Sequence, residues 1–209
     1  EGLPTYEAKE LGLAKIKYDA YPYDVSIVVT GNEINEYFKV LLKAMSLVFP
    51  DLAQKTKHVS HGMLKLPEGK MSSRTGNIIT AESLISQVKE KVREKMKNDE
   101  VPEPEREMIS EIIALGAIKY TILRQAIGGD IIFDFDKSIS FEGDSGPYLQ
   151  YATVRANSIL KKASPKTVLG EGTLEVWETT NLERLLERFG SVVERAGVEY
   201  APHYITTYL

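Results

Sequence analysis

Hydrophobic periodicity splits the chain into two stretches of different kind. In the first, the β-branched run Val25-Ser-Ile-Val-Val-Thr30 predicts a buried strand. Gly31-Asn32 turns it directly into a helix over about Glu33 to Phe49, with Tyr37, Leu41, Ala44, Met45 and Val48 on one side. Strand, glycine turn and helix make one half of a βαβ unit. Upstream, Pro4 and Thr5 precede a short helix from Tyr6 to Lys15, with an N-terminal proline and a capping hydroxyl. Downstream, His58 to Leu66 predicts a second strand. A helix over Thr80 to Lys97 sets Leu84, Val88, Val92 and Met96 on one apolar stripe. Lys89, Lys91, Arg93, Lys95 and Lys97 populate its other faces, the pattern of a solvated surface, with RNA contact as the other use.

The remainder reads as helix. Asn98 to Pro104 is a break with two prolines. A long helix over Glu105 to Ile127 follows, carrying Ile109, Ile112, Ile113, Ala117, Tyr120, Ile122 and Leu123, and Gly128-Gly129 stops it. Asp130 to Asp136 is a short strand or an extended connector. Phe141 to Gly146 is rich in turn residues, and Pro147 starts a helix reaching Ala163. Ser164 to Thr173 is a loop. Leu182 to Val198 is amphipathic, with Leu182, Leu185, Leu186, Phe189 and Val193 on one face, and a further helix begins near Tyr200. The change of pattern puts a boundary near residues 140–150.

Bulk properties narrow the class. At 209 residues there is room for one large or two small domains, and 43% apolar residues suffice for a packed core. A net charge of −4 argues against broad electrostatic binding of nucleic acid, although a localised basic site is compatible with it. No cysteine is present, so disulfides and thiolate metal sites are absent. No apolar run approaches membrane-span length, and a cytoplasmic protein is expected. The chain opens on Glu1 rather than methionine, which suggests a fragment.

The densest chemistry lies in Gly69-Lys70-Met71-Ser72-Ser73-Arg74-Thr75-Gly76-Asn77. One lysine, one arginine, two serine hydroxyls and two glycines suit a polyphosphate: a mobile point charge, a planar fork and backbone that can approach closely. A basic surface turn has the same composition. Gly31, Asn32 and Glu33 follow a predicted strand, where ligands of open α/β sheets bind. Tyr6 and Glu10, spaced i and i+4, share a helical face and pair an aromatic with a carboxylate, as a guanidinium requires; the other reading makes Tyr6 a core aromatic and pairs Glu10 with Lys9 or Lys15. His58 and His61 are three apart on an extended segment without nearby carboxylates, a poor metal set, and no metal site is expected.

The loop resembles the Lys-Met-Ser-Lys-Ser signature of class I aminoacyl-tRNA synthetases. In its longer form, His58 through Asn77, it is similar to the arginyl-tRNA synthetases in particular. Phe133-Asp-Phe-Asp136 with Ser140-Phe-Glu-Gly-Asp-Ser-Gly-Pro-Tyr-Leu-Gln-Tyr-Ala152 resembles the family's exit from the catalytic domain. Gly2-Leu-Pro-Thr-Tyr6 with Glu10 resembles its arginine-binding segment. The three blocks stand in family order. Ser73 departs from the signature where a second lysine stands, so the second cation falls to Arg74 or elsewhere. Glu10 stands where the family commonly has aspartate.

The resemblance implies an α/β, Rossmann-like, partial parallel-sheet catalytic portion over residues 1–146. A truncated helical-bundle anticodon-binding portion would follow over 147–209. It implies ATP, with Mg²⁺, as cosubstrate, and L-arginine and tRNA as partners, in a monomer. Lys70, Ser72, Ser73 and Arg74 would hold the triphosphate as pyrophosphate leaves. His61, Gly62, Met63 and Met71 would border the nucleotide. Tyr6, Glu10 and Glu33 would meet arginine. Tyr148, Gln150, Tyr151 and Arg155 would lie at the domain interface, in packing or in stacking on unpaired bases. The family's upstream His-x-Gly-His signature has no counterpart here, so the chain alone is expected not to charge tRNA. Two other readings stay open: an adenylyltransferase with a Ser/Thr/Arg phosphate loop, and a non-catalytic RNA-binding module derived from a synthetase.

Overall fold

The computed structural model describes residues 2–67, 80–97, 100–163 and 179–209. Two compact units divide them. One holds residues 1–63 with 127–130, and the other holds 64–126 with 131–209.

In the first unit, Thr5 caps α1 (Tyr6–Ala20), its hydroxyl accepting the Ala8 N–H at 3.4 Å. The helix runs five residues past the predicted Lys15 and ends before Pro22. Strand β1 (Ser26–Gly31) leads through a 3₁₀ turn (Asn32–Ile34) into α2 (Asn35–Val48). A short helix that periodicity did not predict, α3 (Pro50–Lys55), follows with proline in its first turn. It delivers the chain to β2 (Thr56–His61), which runs parallel to β1 in register from Ser26↔Thr56 to Gly31↔His61. The β1–helices–β2 crossover completes the expected βαβ unit.

Ala14, Met45 and Leu52 form a small core there. Phe38, Leu41 and Met45 are the buried face of α2, whereas Val48 is exposed. Phe38, absent from the predicted stripe, is buried because its ring stacks on His58, with centroids 3.9 Å apart and planes 5° from parallel. β1 is also less buried than its composition predicts. Ile27 and Val29 are exposed, because a two-stranded pair does not gain the two covered faces of a larger parallel sheet.

The predicted strand His58–Leu66 is two strands. β2 ends at His61, and β3 (Leu64–Lys65) pairs in parallel with β4 (Ile131–Ile132) in the second unit. Helix α4 (Ala81–Lys95) carries the predicted stripe, and Leu84, Val88, Val92 and Met96 are all buried. Each such side chain contributes about 1.5–3 kcal/mol by leaving water. They pack with Ala114, Ala117 and Ile118 of α5 (Glu103–Leu123) and with Phe133 and Ile139.

The buried face of α5 is its small residues Ser110, Ala114 and Ala117 with Ile118, while Ile112, Ile122 and Leu123 are exposed. Small side chains let neighbouring helices come close. A Cβ on Gly146 would strike the Gly116 carbonyl. α5 stops at Leu123, short of the predicted Ile127. The cations of α4 are not a free solvated face. Lys89 pairs with Glu107 (2.5 Å) and Glu111 (3.3 Å), Arg93 with Glu103 and Glu107, and Lys91 with Asp136 (3.0 Å).

The Asp130–Asp136 segment is likewise divided, between β4 and α6 (Phe135–Ser138), whose N-cap Asp134 accepts from Asp136 and Lys137. Helix α7 (Gly146–Lys162) starts on Pro147, as expected, with Ser145 as N-cap. Helix α8 (Asn181–Glu199) is closed by a Thr180/Glu183 capping box. Its C-cap is Tyr200 at φ 55°, after which α9 (His203–Tyr208) packs back on it. Small parallel strand pairs with helices, then a helical portion, match the fold class read from the sequence.

Candidate functional site

Parallel pairing brings the carboxyl ends of β1 and β2 side by side, with Gly31 opposite His61. In open α/β sheets this edge is where ligands bind. The residues just beyond both strands, Asn32 and Glu33 on one side and Gly62 and Met63 on the other, are therefore neighbours. The Glu33 carboxylate folds back over Gly31, occupying the space a side chain there would need. The ring Nδ1 of His61 lies 2.8 Å from the Gly62 carbonyl, and both His61 and Met63 are exposed.

Residues 127–130 close the same edge. Asn32 Nδ2 donates to the Gly128 carbonyl at 3.3 Å, and the Met63 N–H donates to Asp130 Oδ1 at 3.0 Å. Gly128 takes a left-handed backbone, φ 78°, that glycine adopts without steric cost. In the sequence Ile127 reads as a helix end, Gly128-Gly129 as its stop and Asp130 as the start of a strand or connector. The Gly-Gly-Asp string was their one local signal, and it does not say where the loop returns.

A second cluster of candidate residues lies along α1. Its inward face carries Glu7, Glu10, Leu11, Ala14 and Tyr18, partly or wholly buried. Tyr37 sits two turns before Met45 on the α2 face that meets Ala14, which puts it level with the two glutamates. Its hydroxyl is pushed above the ordinary phenol range, first by burial and then by the charges of Glu10 and Glu7. The Glu7 carboxylate is held below its usual range by hydrogen bonds from its own backbone N–H and the Thr5 hydroxyl. Two carboxylates beside a half-buried phenol favour a cation. Tyr6 stands at the exposed rim, with the Lys9 amine 5.5 Å from its ring centroid. Lys15 pairs with Asp19 at 2.8 Å, not with Glu10. Sequence reading put Tyr37 in the core stripe. Its distance of two turns from Met45 was the available sign that it reaches the helix's open end.

His58 lies inside the unit. Its Nε2 is 2.7 Å from the Thr30 hydroxyl, and burial holds its pKa below the ordinary value. It is a packed strand histidine. Among the described residues no group of three or more His, Asp or Glu side chains is placed to hold a metal.

Of the four residues expected at the domain interface, Gln150 alone packs inward. Its Nε2 donates to the Ile112 carbonyl at 3.3 Å and covers Gly116. Tyr148 and Tyr151 are exposed, and the Arg155 guanidinium lies 5.7 Å from the Tyr151 ring centroid. The triphosphate candidates Lys70, Met71, Ser72, Ser73 and Arg74 lie outside the described residues.

A hollow of about 490 Å³ lies in the second unit between α5, residues 143–149 and α9. There Tyr120 donates to Asp144, which also pairs with Arg124. Burial first, then the Asp144 hydrogen bond and charge, raise Tyr120 to about 12. The cluster is internally satisfied and ties helices together. Among the described residues no helix is long and apolar enough to cross a membrane.

Known proteins share this arrangement. The solved arginyl-tRNA synthetase of Thermus thermophilus superposes over 99% of the chain and 39% of its own length, with a TM-score of 0.80 at 26% identity. That of Plasmodium falciparum shares the fold, with a TM-score of 0.74 at 18% identity over 99% of this chain and 36% of its own. The family model for the class I (R) tRNA synthetase catalytic domain matches residues 1–135, and that for the DALR anticodon binding domain matches 149–209. Fold and matched domains define a class I aminoacyl-tRNA synthetase architecture. Within that class, the chain belongs to the (R) family. It is 34% identical to the arginine--tRNA ligase of Bacteroides thetaiotaomicron and 33% identical to that of Halobacterium salinarum. Both matches cover all of this chain, and it spans about a third of those relatives, 36% and 33%.

Proposed function

We propose that this chain forms part of an arginine--tRNA ligase, a protein that joins L-arginine to tRNA at the expense of ATP through arginyl-adenylate. The observation that carries the reading is the two family models in tandem, within relatives of one named activity that match along the whole chain. The unmatched interval between 135 and 149 supports a domain boundary at 146/147. The protein works as a cytoplasmic monomer.

In this reading the arginine carboxylate attacks the α-phosphorus of ATP, and pyrophosphate leaves. Positioning and electrostatics do most of the work. The lysine loop, with Lys70, Ser72, Ser73 and Arg74, neutralises the departing phosphates. Mg²⁺ bound to the triphosphate would add neutralising charge as pyrophosphate leaves. Met71 and the His61-Gly62-Met63 strand end border the base. Glu10, helped by Glu7 and Tyr37, takes the guanidinium, with Tyr6 at the rim and Glu33 at the strand edge. Tyr148, Gln150, Tyr151 and Arg155 serve the tRNA side and the domain interface.

Charging of tRNA with labelled arginine by the gene's full-length product tests this. We expect charging, and a loss of roughly 10²–10³ in rate for Lys70→Ala, the scale of removing one donor to developing charge. A folded product that leaves arginine uncharged, with or without Lys70, overturns the reading.

A further inference from the structure

Residues 127–130 follow α5 in sequence yet belong to the unit built by residues 1–63. Contacts at Gly128, Gly129 and Asp130 hold it there. Asn32 holds Gly128 by its carbonyl, and Asp130 takes the Met63 N–H at 3.0 Å. Gly129 presses so close to Gly62 that a Cβ on Gly62 would fall on the Gly129 carbonyl. The contacts join segments 67 to 96 residues apart, so local turn geometry does not account for them.

Their effect falls on one peptide. After His61 the chain leaves the β1/β2 ladder, and Met63 precedes the first residue of β3, so its N–H lies in neither ladder. Gly62 has no side chain to restrict rotation before it. The Asp130 carboxylate is thus what orients the Met63 amide. A hydrogen bond to a charged acceptor is stronger than a neutral one. The main chain of Gly128 and Gly129 then stands as a wall across the strand ends. The two residues before Asp130 are both glycine, so this stretch presents backbone alone.

We propose that Asp130 is a positioning residue for the purine of ATP. By holding the Met63 N–H it fixes the Gly62–Met63 backbone beside the base, and the Gly128–Gly129 main chain closes the pocket opposite. The inference rests on the ligase reading.

Asp130→Ala and Asp130→Asn in the full-length charging protein test it, with KM for ATP, KM for arginine and kcat measured for each. Asparagine keeps an oxygen that accepts the same N–H. We expect Asp130→Ala to raise the ATP KM roughly tenfold or more, the scale of losing a hydrogen bond to a charged group, while the arginine KM stays within about twofold. Asp130→Asn should recover most of the loss. Hydrogen exchange gives a ligand-free readout: the Met63 amide should exchange faster in Asp130→Ala and slow again in Asp130→Asn. An unchanged ATP KM in Asp130→Ala overturns this inference while leaving the ligase reading intact. A parallel rise in both KM values with no rescue by asparagine also overturns it, as general loosening. If the wild-type product does not charge arginine, the ligase reading itself fails and this inference falls with it.

Discussion

Helices α4 and α8 carry equally plain amphipathic stripes and have opposite fates. Leu84, Val88 and Val92 of α4 and Met96 at its C-cap are 0–7% exposed, against α5 and Phe133. Leu182, Leu185, Leu186, Phe189 and Val193 of α8 are 40–65% exposed, although Phe189 meets Tyr208 with ring centroids 5.6 Å apart. Periodicity therefore identifies a helix and its apolar face, but burial is supplied by whatever packs against that face. α4 has α5 beside it, with alanines at the contact. Among the described residues α8 has the six-residue α9, which covers part of the stripe.

The largest expected effect comes from making the same substitution in both stripes. Leu84→Ala should destabilise by about 2–5 kcal/mol, the cost of a core cavity. Leu186→Ala should stay within about 0.5 kcal/mol, as an exposed position does. Equal losses in urea unfolding would break the comparison and show that the α8 stripe is buried in solution.

Next come the caps, which should be alike in the two helices because a cap acts locally. Thr80 accepts the Ser83 N–H at 3.1 Å, and Thr180 and Glu183 share three bonds. Alanine at either should cost about 1 kcal/mol. The readouts should differ. Thr80→Ala should lower the global midpoint, while Thr180→Ala should appear as faster amide exchange in the first turn of α8. A global shift from Thr180→Ala would mean that α8 is more tightly integrated than its exposure implies.

The smallest effect belongs to the first unit and separates it from both helices. Burial disfavours the charged form of His58, so its folded pKa lies below the unfolded one. The unfolded state then binds more protons, and stability drops as pH falls below about 6.5. Melting between pH 7.5 and 5.5 should show this loss, and His58→Gln should flatten it. Persistence of the slope in that variant would assign it elsewhere.

Legibility followed the range of the forces involved. α4, α7 and the β1–α2 turn were readable because spacing, a proline and a glycine act within a few residues. The break in the predicted His58–Leu66 strand was not, because its causes, Gly129 and Asp130, stand far along the chain. Phe38 escaped the predicted stripe of α2 because its partner, His58, comes from another strand. α3 is too short for periodicity to register. At the site, the strand-end candidates and Glu10 were visible as residue types. Tyr37 beside the glutamates and the 127–130 wall were products of packing.

The distance from Met63 to Asp130 also sets a timetable for synthesis. A ribosome adds about 5–20 residues per second, so roughly 3–13 s separate the emergence of the strand ends from that of the loop that covers them, 67 positions later. Over that interval the nascent β1/β2 unit exists without its wall. Nascent chains stalled before Ile127 should leave the Met63 amide open to exchange, and chains stalled well past Asp130 should protect it.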